Sequence, residues 1–74
     1  MPQPGDVHVV PSATGWLVEV ENDGPNGSYD TQDRAWEAAK EIAELNKSEA
    51  ILHAQDGTIR ERNTYRDDPR DVPG

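Results

Sequence analysis

The sequence predicts an α+β domain of order β-β-α-β-β, in which one helix lies on one face of a four-stranded antiparallel sheet. Two short β-branched or alternating runs open the chain. A strongly amphipathic segment occupies its middle, and two further extended runs flank an Asp-Gly pair. Apolar residues recurring at helical spacing in one place and at a period of two in another separate these elements without further information.

The first strand is Val7-His8-Val9-Val10, stopped at Pro11, which has no N–H to give to a ladder. After a hairpin-like Ser12-Ala13-Thr14-Gly15, the second strand, Trp16 to Glu21, alternates. Trp16, Val18 and Val20 point one way and Leu17, Glu19 and Glu21 the other, so the Trp16 face is expected inward. Residues 22–28 (Asn-Asp-Gly-Pro-Asn-Gly-Ser) are turn formers throughout and are read as a loop.

The helix begins after Asp30 or Thr31, either of which can cap it, with Asp33 complementing its positive end. Ala35, Trp36, Ala38, Ala39, Ile42, Ala43 and Leu45 fill one half of its wheel, and charged residues fill the other. Asn46 is the expected left-handed residue at its end, beside Lys47. The last two strands are Ala50–Ala54 and Thr58–Arg62, joined through Asp56-Gly57 in an expected type I′ turn. Arg60 and Arg62 then share a face with Ile51 and His53. Placing the third strand beside the first gives every pair antiparallel, in spatial order 2-1-3-4.

Seventy-four residues hold one domain, expected over 7–65 between a flexible segment 1–6 and a disordered tail 66–74 that contains Arg66 and Arg70. A chain of this length buries little core, and with no cysteine it has no disulfide or thiolate site to strengthen it. Apolar residues are 32% and mean hydropathy is −0.96, low for a folded domain. Nothing resembles a membrane span or a signal peptide, so a soluble cytoplasmic protein without membrane contact is expected. Net charge is −8, and residues 1–30 carry five acids without a Lys or Arg. Such a chain repels phosphate backbones, which makes nucleic acid an unlikely partner.

His8-Val9-Val10-Pro11, Gly15-Trp16 with Val18, Asp30-Thr31 opening an Ala-rich helix, and Asp56-Gly57 followed by Ile59 and Glu61-Arg62 together resemble one prokaryotic family. It is the family catalogued as domain of unknown function 2188, and the likeness runs from residue 7 to 66. The chain departs from its pattern at Asn26-Gly27-Ser28, where members often carry a basic residue, and at Trp36, where a smaller aliphatic side chain is usual. The resemblance implies a fold and a lineage, with no activity, substrate or cofactor attached.

The residues themselves point to no catalytic set. Ser12, Ser28 and Ser48 sit in no nucleophile-like motif, and the Gly24-to-Gly27 cluster lacks the Lys-Ser or Lys-Thr of a phosphate loop. His8 and His53 lie on the two central strands and could hold a metal with Glu61. Zinc requires three or four ligands at short, rigid spacings, which this chain lacks. The expectation is therefore a non-enzymatic protein with no cofactor and no metal.

One helix cannot cover both faces of a sheet, and the expected interaction surface is the uncovered face and its rim. It comprises Leu17, Glu19, Glu21, Ile51, His53, Arg60 and Arg62. The leading expectation is a protein-interaction module binding a protein partner or forming a weak homodimer. One alternative is an acidic nucleic-acid mimic or regulator that engages a basic partner. The other is a weak anion or nucleic-acid binder using His53, Arg60 and Arg62.

Overall fold

A computed structural model of the chain describes residues 5–65. The expected tail 66–74, with Arg66 and Arg70, and residues 1–4 of the expected N-terminal segment lie outside the described residues. The elements are β1 (Val7–Ser12), β2 (Gly15–Val20), β3 (Gly24–Tyr29), α1 (Gln32–Asn46), β4 (Glu49–His53) and β5 (Ile59–Thr64). The architecture is α+β with one helix, and the sheet has five strands in order β3-β2-β1-β4-β5. This corrects the expected four-stranded antiparallel sheet of order 2-1-3-4, because β1 pairs with β4 in parallel.

The source of the difference is β3. Residues 24–29 have poor strand propensity, yet they pair antiparallel with β2 along its whole length. Three features make this possible. Asn22 (φ 70°) and Gly24 (φ 87°) take the left-handed conformations that turn the chain back. Pro25 sits in an edge strand, where a missing N–H is tolerated, beside a register shift at Val18/Glu19. Gly27 lies under the Tyr29 ring, whose Oη and Cε1 come within 3.4 and 3.5 Å of where a Cβ would stand. The aromatic ring thus fills the space that the glycine leaves. An added strand reverses the direction of everything after it, so β4 runs parallel to β1.

The helix starts at Thr31, whose Oγ1 accepts the Arg34 N–H (3.2 Å). It ends at Lys47 in the left-handed conformation (φ 57°), not at Asn46, with the Ser48 N–H donating to the Ala43 carbonyl (2.9 Å). That pairing satisfies carbonyls left over at the helix end. Ala35, Ala39 and Ala43, spaced four apart, are fully buried against Val7, Val9, Val18, Val20, Ala50 and Leu52. Three methyl groups in line let the helix backbone lie close to the sheet. Trp16, Tyr29, Trp36, Ile42 and Tyr65 pack half-buried around this centre. Trp16 faces inward as expected. Leu45, assigned to the apolar half of the wheel, is 82% exposed, because the helix faces the sheet with its alanine stripe, flanked by Trp36 and Ile42, and Leu45 lies outside that contact.

The β4–β5 turn also differs from expectation. The Gly57 N–H donates to the Ala54 carbonyl (2.9 Å) and the Ala54 N–H to the Thr58 carbonyl (2.7 Å). Only Gly57 has positive φ (93°), so the connection is a three-residue loop closed by a glycine bulge, not a type I′ turn. Asp56 Oδ1 accepts both the N–H (3.0 Å) and the hydroxyl (2.8 Å) of Thr58. Those two bonds, the backbone one first, hold the Asp56 carboxyl below its ordinary value of 3.8. Leu52 stands opposite Glu61, but His53 pairs with Ile59, so the bulge takes up Arg60.

Two outcomes test this packing. Ala39→Leu should destabilise the domain by about 1–3 kcal/mol through overpacking, whereas Leu45→Ala should stay within about 0.5 kcal/mol, both read from urea unfolding. Because the folded-state value of Asp56 is depressed, its stabilisation is present above the unfolded value and lost as pH falls through the folded one. Acidification below pH 3.8, or Asp56→Ala at neutral pH, should accelerate amide exchange at Ala54 before it affects Val9.

Candidate functional site

The helix and the valine core occupy one side of the sheet, and period-two alternation assigns the other side from the strand registers. His8 pairs with Glu19 on one flank and with Ile51 on the other, and Ile51 pairs with Arg62. These four positions form one row across β2, β1, β4 and β5. The row beside it carries Leu17 opposite Val10 and His53 opposite Ile59. His8 and Val10, whose face could not be read from alternation in so short a run, therefore belong to the uncovered side.

At the centre of this face the parallel β1–β4 ladder brings the two imidazoles together. His8 Nδ1 lies 3.0 Å from His53 Nε2, with ring centroids 5.2 Å apart and planes inclined by 26°. His8 Nε2 lies 2.6 Å from Glu21 Oε2. A carboxylate only accepts, so His8 Nε2 carries the hydrogen on that side. In the neutral pair His8 Nδ1 is then the acceptor, and His53 Nε2 donates to it. The chain Glu21–His8–His53 runs from the β2 rim across β1 to β4, with His8 half-buried and both its nitrogens engaged. Ile51, beside the pair, is only 8% exposed although no helix covers it.

Charged side chains ring this centre. Glu19 and Glu21 lie on the β2 side. Arg62 lies on the β5 side, where its Nε is 3.5 Å from Glu49 Oε2. Thr64 Oγ1 also donates to that Glu49 carboxylate (3.4 Å), and the Glu49 N–H donates to Asp6 Oδ1 (3.1 Å). Gly5 and Asp6 extend the β1–β2 ladder. The Gly5 N–H donates to the Glu21 carbonyl (3.0 Å) and the Glu21 N–H to the Asp6 carbonyl (2.9 Å).

Of the seven residues expected at the interaction surface, Leu17, Glu19, Glu21, Ile51, His53 and Arg62 share this face. Arg60 does not. Its Nη1 donates to Gln32 Oε1 at the start of the helix (2.7 Å), because the β5 bulge turns it to the covered side. The anion-binding stripe of His53, Arg60 and Arg62 is therefore not assembled. Glu61, opposite Leu52, is also turned from the open face and cannot complete a metal site with the two histidines. No cluster of three His, Cys, Asp or Glu side chains suited to a metal occurs among the described residues. Sequence reasoning left out Val10 and Ile59, the latter 49% exposed, and did not foresee the Glu21–His8 bond.

The proteins that this chain resembles carry no assigned activity. A family profile described as "Uncharacterized protein conserved in bacteria (DUF2188)" matches residues 7–65, nearly all of the described chain. The chain belongs to this bacterial family. The match begins at the first residue of β1 and ends one residue past β5, so it takes in every element of the sheet. The chain is also similar to the uncharacterized protein YycD of Bacillus subtilis (strain 168), at 35% identity over 54 residues, covering 72% of this chain and 82% of the relative. No solved structure matches the chain. The function of the family is unknown. No helix among the described residues is long and apolar enough to cross a membrane.

The hydrogen-bond chain has a direct check. Long-range nitrogen–proton NMR at alkaline pH should find the His8 hydrogen on Nε2, with Nδ1 as the lone-pair nitrogen. Glu21→Ala should remove that preference and speed exchange of the ring N–H without changing the Val9–Val18 ladder.

Proposed function

We propose that this protein is a non-enzymatic protein-interaction module that works through the uncovered face of its sheet. The observation that carries this reading is the composition of that face. An apolar centre of Val10, Leu17 and Ile51 surrounds an ordered histidine pair, with Glu19 and Glu21 on one flank and Arg62, beside Glu49, on the other. Antiparallel sheets that only face water usually present polar residues along their outer side, whereas apolar residues ringed by charge are the make-up of interfaces. Both nitrogens of His8 are engaged in holding the face together, which favours a shaped binding surface over a proton-transfer site. A thin core of valines and alanines gives the domain further reason to gain stability from a bound partner, by mass action.

A photo-crosslinking amino acid placed at Leu17, in the full chain expressed in its native host, tests the reading against the same substitution at the exposed helix residue Glu41. The expected outcome is a discrete protein adduct from position 17 and none from position 41. Absence of adducts from position 17, or equal adducts from both positions, would overturn it.

A further inference from the structure

Resting on the reading of the open face as an interaction surface, we propose that its partner is a second copy of this chain, stacked face to face about a two-fold axis parallel to the strands and midway between β1 and β4. The strand registers decide the geometry. Glu19, His8, Ile51 and Arg62 occupy successive strands of one row. Rotation about an axis along the strands, between His8 and Ile51, reverses the order of that row while keeping its height. It lays Glu19 of one copy over Arg62 of the other, and His8 over Ile51, twice by symmetry. In the neighbouring row the same operation lays Leu17 over Ile59, the apolar side chain that is 49% exposed on this face in the single chain.

The alternative two-fold axis, lying across the strands at this row, would set β2 on β2 and β5 on β5, laying Glu19 over Glu19 and Arg62 over Arg62 of the other copy. Charge therefore selects the first axis. Stacked sheets lie about 10 Å apart and cross at about 30°, which displaces the outer pairs by roughly one residue rise, within reach of Glu and Arg side chains. Arg62 can take the second carboxylate because its contact with Glu49 uses only Nε and leaves its side chain 57% exposed.

The third row sets the limit on affinity. There Asp6, opposite Glu21 in the ladder, comes over Glu49 of the other copy, a like-charge contact at one end of the interface. Four strands spaced about 4.8 Å, each about 17 Å long, offer on the order of 300–400 Å² per copy, below the roughly 800 Å² of a standard interface. The association is therefore weak and reversible, and it forms at high local concentration.

Sedimentation of the full chain over a wide concentration range tests this, with far-UV circular dichroism verifying that each variant is folded. The wild type should show a concentration-dependent rise toward twice its mass. Glu19→Arg alone, or Arg62→Glu alone, should weaken self-association about tenfold or more. The double variant, and an equimolar mixture of the two single variants, should return to within about threefold of wild type, because both arrangements restore opposite charges across the axis. The chain has no cysteine, so a second measurement is clean. A bis-maleimide spanning about 10 Å should join a Leu17→Cys chain to an Ile59→Cys chain in preference to either with itself. A strict monomer at millimolar concentration, single reversals without effect, or failure of the double variant to recover would overturn the proposal. If the chain is a monomer while position 17 crosslinks to a different protein, self-association fails and the interaction reading stands. If position 17 gives no adduct either, both fail.

Discussion

The parallel ladder between β1 and β4 is the pairing on which the rest depends. It joins the meander β3-β2-β1 to the hairpin β4-β5, and a two-stranded hairpin is at best marginally stable alone in water. The ladder is short, linking Val7 to Ala50, His8 to Ile51 and Val9 to Leu52. It is supported on one side by the helix, which spans the junction with Ala35, Ala39 and Ala43. On the other side it is closed by the His8–His53 bond and by the Glu49 N–H on Asp6. Both faces of the joint are thus fastened, one by apolar contact and one by polar bonds.

The asymmetry between those two fastenings shapes the molecule. Alanines allow close approach but bury little area each, so the covered side supplies a compact core of modest total burial. The open side cannot rely on apolar cover, and it orders itself by hydrogen bonding instead. Ile51 is nonetheless buried there, and the histidine pair has a set direction because Glu21 accepts at one end. The proposed interaction would draw on this ordering, because a surface already held by hydrogen bonds gives up less entropy on binding.

Edge management follows from the same economy of side chains. β3 at one edge contains Pro25 and two glycines, and β5 at the other is exposed throughout and carries Arg60, Glu61 and Arg62. Antiparallel self-pairing of β5 about a two-fold axis would place either Glu61 or Arg62 opposite its own copy. Both edges thus resist strand-to-strand addition.

Much of this was written in the sequence where the side-chain period itself carries the information. The amphipathic repeat of residues 32–46, the Thr31 cap and the alternation from Trp16 to Val20 were legible because each depends on residues a few positions apart. What remained hidden depends on contacts between distant segments. Residues 24–29 have turn propensity and become a strand only because β2 offers a free edge and Tyr29 covers Gly27. That one strand reverses β4, makes the central pairing parallel and brings His53 to His8. Likewise, Arg60 and Arg62 alternate in the sequence as though on one face, and a single-residue bulge separates them. Local periodicity determines which way a side chain points relative to its neighbours. Only the tertiary pairing decides which strand lies beside it, because that choice rests on the direction of the whole chain.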